Sequence, residues 1–114
     1  TVALVVGLSV ATDPDGVARV RALESALREQ CKRVVTTWAP CVDWGLLARG
    51  SIEGLVCVAP EIYEQYAGSL LAAESGVSAA DTVAENGRYV GSADQSTTET
   101  LRAIVDDVVA GDAD

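Results

Sequence analysis

Three segments of this 114-residue chain carry residue types able to do chemistry, and each follows an apolar run. Cys57 stands in Leu55-Val56-Cys57-Val58-Ala59-Pro60, near the end of one run and just before a proline that opens a helix. Backbone N–H groups at a helix start stabilise a thiolate and lower its pKa, and Glu61 opposes that effect. The same thiol also fits a core as a small hydrophobe. Trp38-Ala39-Pro40-Cys41-Val42-Asp43-Trp44-Gly45 places Cys41, Asp43 and two indoles together. Indoles there wall a pocket, anchor a partner or seal the core. The core reading is preferred for Trp38 and left even with the others for Trp44. In Asp13-Pro14-Asp15-Gly16, the two carboxylates could hold Mg²⁺ through oxygen. Asp13 before a proline is better read as a helix cap, with an acceptor side chain at the cap and Pro14 at the first helical position.

Composition removes many other chemistries. There is no histidine, hence no imidazole base, imidazole ligand or Ser-His or Cys-His pair. Eight basic residues against 17 acidic ones give a net charge of −9, which disfavours nucleic acid and anionic membrane surfaces. Three cysteines without C-x-x-C spacing form neither a disulfide framework nor a zinc site, so reduced thiols in a cytoplasmic protein are expected. The apolar start has no basic leader and is too short to span a bilayer. No G-x-G-x-x-G or P-loop pattern occurs, and neither metal nor cofactor is expected. The D-P-D-G segment matches the opening motif of haloacid-dehalogenase-type phosphatases. However, Lys32 comes too early and Asp106-Asp107 falls within a helix, so the capping reading stands.

The elements that must position these residues alternate between strand and helix. Val2 to Val10 reads as a strand covered on both faces. Val17, Val20, Leu23, Leu27 and Cys31 then recur at helical spacing. Arg33 to Trp38 and Ile52 to Ala59 read as further strands, with a short helix between them stopping at Gly50. After Pro60, Ile62, Tyr66, Leu70 and Ala73 share one helix face. Ser78 to Glu85 suggests another short helix, closed by Asn86-Gly87, and Arg88 to Gly91 a short strand. Ser96 and Glu99 form a capping box before the Leu101, Ile104, Val105, Val108, Val109 stripe. The expectation is one α/β domain over residues 1–111. It has three layers and a mainly parallel sheet of four to five strands flanked by helices, and residues 112–114 form a frayed acidic end.

With VALVVGLSV, DPDGVARVRAL, RVVTTW and CVDWGLLARG in this order, the chain from Val2 to Gly50 resembles the DsrE-like sulfur-relay family. In that family the next strand often ends in cysteine, as LVCVAP does here. The resemblance implies a persulfide on Cys57, with Cys41 as a neighbour, sulfur donor and acceptor proteins as partners, and a homo-oligomer. The loop carrying Cys41, Asp43 and two tryptophans departs from the family's small glycine-rich turn. A second class stays open: a non-catalytic α/β module that binds a protein partner or itself through the Trp38–Trp44 loop. The candidate site is therefore Cys57 as sulfur carrier, with Asp13, Cys41, Asp43 and Trp44 as a binding cluster.

Overall fold

The computed structural model describes residues 1–37, 39–59, 62–81 and 88–112. Five strands form one sheet: β1 (Val2–Val6), β2 (Val34–Val35), β3 (Gly54–Val58), β4 (Ser78–Asp81) and β5 (Arg88–Ser92), in the order β2-β1-β3-β5-β4. Helices α1 (Leu8–Ala11), α2 (Pro14–Gln30), α3 (Pro40–Ala48), α4 (Ile62–Glu74) and α5 (Gln95–Asp112) connect and cover them. The expected three-layer α/β architecture is what forms. β1 pairs in parallel with both β2 and β3. β5 then runs antiparallel to β3, and β4 antiparallel to β5, so the sheet is mixed with its parallel part at β2-β1-β3.

Period-two alternation divides each central strand between two apolar layers. On one side Val2, Leu4, Val34, Val56 and Val90 meet Leu23 and Leu27 of α2 and Leu101, Ile104 and Val105 of α5. On the other side Ala3, Val5, Leu55, Cys57 and Tyr89 meet Trp44 and Leu47 of α3 and Ala72 of α4. The apolar residues of β1 and β3 are continuous because both faces are covered.

Local signals explain several boundaries. Asp13 caps α2 by accepting the Gly16 N–H at 3.0 Å on Oδ2, with Pro14 at the first turn. Gly50 follows α3 at φ +76°, a left-handed stop that suits a residue without Cβ.

Other expectations need correction. The apolar run from Val2 to Val10 is strand only to Val6, because Leu8–Ala11 turns into α1. β2 is two residues long, shorter than Arg33 to Trp38, and Trp38 lies outside the described residues. Ser78–Asp81 is an edge strand where a short helix was expected, and residues 82–87 lie outside the described ones. Ser96 does not cap α5. Asp94 does, its Oδ2 accepting the Thr97 N–H at 3.1 Å and the Ser96 and Thr97 hydroxyls at 2.6 and 2.9 Å. Those bonds, the Ser96 hydroxyl first, hold the Asp94 carboxyl below its ordinary pKa. α5 continues through Gly111 to Asp112, and residues 113–114 are outside the described chain.

Candidate functional site

Cys57 sits in the middle of the sheet with no exposed surface, paired in register with Val5 and Tyr89. Burial pushes its thiol pKa well up, and the Asp43 carboxylate pushes it further in the same direction. A persulfide carrier needs an accessible, partly ionised sulfur. Cys57 is instead enclosed in the apolar layer beneath α3. The predicted acidifying effect of the following helix start is outweighed because desolvation of a fully enclosed thiolate dominates. Pro60 and Glu61, invoked on either side of that argument, lie outside the described residues.

The other members of the expected cluster separate by depth. Asp43 is 1% exposed in the first turn of α3, where the helix dipole favours its charge. The Thr37 hydroxyl donates to its two carboxylate oxygens at 3.0 and 2.9 Å, and accepts the Ala39 N–H at 3.1 Å. This short relay fixes the turn from β2 into α3. Burial raises the Asp43 pKa and the Thr37 bond lowers it, with burial the larger effect.

Trp44 is buried with its ring centroid 4.6 Å from that of Tyr89 at an interplanar angle of 64°, an edge-on arrangement. Burial, and then the sulfur of Cys57, push the Tyr89 phenol up to about 12. Trp44 is therefore core, not a pocket wall or partner anchor. Cys41 is exposed on the first turn of α3, away from the buried layer that holds Cys57. Asp13 is committed to the α2 cap. The structure thus brings Asp43, Trp44 and Cys57 into one buried layer, with Tyr89 added, and leaves Cys41 and Asp13 outside it.

Thiol accessibility gives a direct check. A maleimide added to the reduced native protein modifies Cys41 first and the half-buried Cys31, whose pKa burial raises, more slowly. Cys57 reacts only when the protein unfolds, as peptide mass mapping will show. Fast native modification of Cys57 would reinstate it as a chemical centre.

The surface feature whose direction the sequence left open is α4. Its described buried positions are Gly68 and Ala72, the smallest side chains available. Trp44 fills the space beneath: a Cβ on Gly68 would come within 2.4 Å of the indole ring. The large residues consequently point away from the sheet. Tyr66 is 67% exposed, Leu70 62% and Leu71 46%, while Val42 on the adjoining α3 is 53% exposed. Ala73, expected on the same face as Tyr66 and Leu70, is exposed with them, and the side chain of Ile62 is not among those described. The signal was present as apolar residues on nearly every side of α4. A helix of that kind is covered all round, which one sheet face alone does not achieve.

No family model matches the sequence, and no curated protein matches it. Solved structures do. Over 91% of its length the chain is similar to extragenic suppressor protein SuhB from Bartonella henselae, with TM-score 0.75 and 13% identity, covering 40% of that chain. Over 92% of its length it is similar to the inositol monophosphatase from Anabaena (Nostoc) sp. PCC 7120, with TM-score 0.73 and 19% identity, covering 42% of that chain. At these identities the likeness is one of fold. The chain spans about two fifths of the length of the solved structures it matches.

Among the described residues, no helix is long and apolar enough to cross a membrane, and no group of three or more Cys, Asp or Glu is placed to hold a metal ion.

Proposed function

We propose that this domain is a protein-interaction module whose docking layer is the outer face of α3 and α4. The observation that carries the reading is the inversion of α4, with Gly68 and Ala72 inward and Tyr66, Leu70 and Leu71 outward. Exposed large apolar residues gathered on one layer mark interaction surfaces, and tyrosine is favoured among the residues that dominate binding. The coverage of SuhB and inositol monophosphatase supports the same reading, because in those proteins a domain of this fold is one part of a longer chain. The occupant is a second polypeptide with an apolar centre and a Lys/Arg rim. The sequences of α3 and α4 contain Asp43, Glu64 and Glu74 and no basic residue, so two copies of this layer repel each other while a basic rim is attracted. The activity to assay in such an assembled pair is the one the Anabaena neighbour's name supplies, hydrolysis of an inositol monophosphate.

Two synthetic amphipathic helices with the same leucine face test the docking layer, one rimmed with lysine and one with glutamate. The lysine-rimmed helix is expected to bind, more weakly as salt rises, and Tyr66→Glu with Leu70→Glu abolishes binding without lowering the melting temperature. Equal binding of both helices, or binding indifferent to the double substitution, would overturn the reading. Sedimentation of the chain alone is expected to give a monomer. A dimer dispersed by the same substitutions would assign the face to a second copy instead.

A further inference from the structure

On the opposite side of the sheet from α4, β1 and α2 part to leave an open pocket of about 340 Å³. That volume lies at the small end of ligand pockets, which run from about 300 to 1,000 Å³. Its position follows from topology. Val6 is the last residue of β1, and Thr36 directly follows β2, so the pocket opens at the carboxyl ends of two parallel strands. In sheets of this class that edge is where ligands collect, because the chain leaves the strands there and the crevice stays open.

The lining has two parts. Leu4 and Val6 from β1 and Val17 and Val20 from α2 form an apolar trough. Arg21, Glu24 and Thr36 supply the polar groups. The charge of Glu24 is already balanced: its Oε1 accepts from Nε and Nη2 of Arg28 at 3.2 and 2.8 Å, one helical turn on. Among the described residues Arg21 has no such partner. Its surroundings are also the basic part of an acidic chain. Five of the eight cationic side chains fall between Arg19 and Arg33, against Glu24 and Glu29 in the same interval.

An apolar trough ending at one uncommitted guanidinium and one hydroxyl matches a ligand with an aliphatic tail and a single negative charge. We propose that this pocket binds a small aliphatic monocarboxylate. The tail lies on Leu4, Val6, Val17 and Val20, and the carboxylate pairs with Arg21 while Thr36 offers a second donor. A guanidinium presents paired N–H groups that fit a carboxylate edge. A phosphate monoester fits less well, because its second charge finds no second cation among the described lining residues and meets Glu24 instead. A sugar fits less well because the trough offers it so few polar partners.

Octanoate, titrated below its micelle concentration into the isotopically labelled chain, is the test. Saturable amide shifts are expected at Val6, Val17, Val20, Arg21 and Thr36, and none on α4. Octanamide, which keeps the tail and loses the charge, binds at least about tenfold more weakly. Arg21→Gln causes the same loss for octanoate, and because Arg21 is exposed the melting temperature is unchanged. No shift at these amides, equal affinity for octanoate and octanamide, or octanoate binding that Arg21→Gln does not alter would each overturn the proposal. Tyr66→Glu with Leu70→Glu leaves octanoate binding intact, so the pocket and the docking layer stand or fall separately.

Discussion

Trp44→Ala lowers the stability of this domain by about 3–5 kcal/mol, measured as a shift in the urea midpoint at constant slope. Trp44 is buried between α4 and the sheet, edge-on to Tyr89 and against the backbone at Gly68. Removing it forfeits the transfer free energy of the indole and leaves a cavity that the two helices close only in part. The aromatic pair is worth a further ~0.5–1.5 kcal/mol beyond area alone. A domain of this size has about 5–15 kcal/mol in total, so the variant sits near the edge of folding at 37 °C. Gly68→Ala approaches the same contact from the other side. Its methyl would lie 2.4 Å from two indole carbons, so the helix or the ring has to move, at about 1–3 kcal/mol. The two changes are not additive. In Trp44→Leu the Gly68→Ala methyl enters vacated space, and the double variant is expected to lose less than the sum of the singles. Strict additivity would mean that Gly68 is not held small by the indole.

That contact also accounts for the part of the sequence that was hardest to read. Tyr66, Leu70 and Ala73 recur at helical spacing, and spacing says that they share a face but not which way the face looks. The answer is set by Trp44, more than twenty residues earlier, which occupies the volume under α4 and admits only glycine and alanine above it. A rule built on local periodicity has no access to that fact. By contrast, β1, β3 and α2 were legible because their signals are local: unbroken apolar runs for strands covered on both faces, and Asp13-Pro14 for a helix start. β4 was not. Ser78-Ala79-Ala80-Asp81 has small and polar residues, as an edge strand can, and its pairing with β5 is a long-range event.

The candidate site was legible in composition but not in depth. The thiol, the carboxylate and the indole do converge, yet Cys57, Asp43 and Trp44 converge inside the layer rather than on its rim. A strand residue's exposure depends on what the crossover lays over it, and here Trp44 and Leu47 of α3 share one apolar layer with Leu55 and Cys57 of β3. Arg21 and Thr36, by contrast, were given no part in a site. An arginine on the polar side of an amphipathic helix and a threonine after a two-residue strand carry no motif, and only the gap between α2 and β1 makes them a pair.

Thr37→Val is expected to destabilise the protein by about 1–3 kcal/mol at neutral pH, with the loss fading in acid. The Asp43 carboxylate is buried, and the Thr37 hydroxyl donates to its two oxygens at 3.0 and 2.9 Å. Without that donor a desolvated charge is left short of partners. The pH dependence follows from the direction of the shift. The folded-state pKa of Asp43 is raised above its ordinary value of 3.8, so the folded protein binds this proton more tightly than the unfolded chain does. Its contribution to stability is therefore fully present below 3.8 and declines as pH rises through the folded-state pKa, after which it is constant. Removing the hydroxyl raises the folded-state pKa further and prolongs the decline, so the gap between Thr37→Val and the parent widens with pH across that window. Asp43→Asn removes this component altogether and flattens the corresponding part of the stability profile. Thr37→Val combined with Asp43→Leu is expected to be more stable than Thr37→Val alone, because an apolar pair leaves no buried charge behind. Urea midpoints from pH 3 to 8 decide it. A Thr37→Val deficit that stayed constant across this range would mean that the hydroxyl serves the Ala39 turn alone and that Asp43 is neutral throughout.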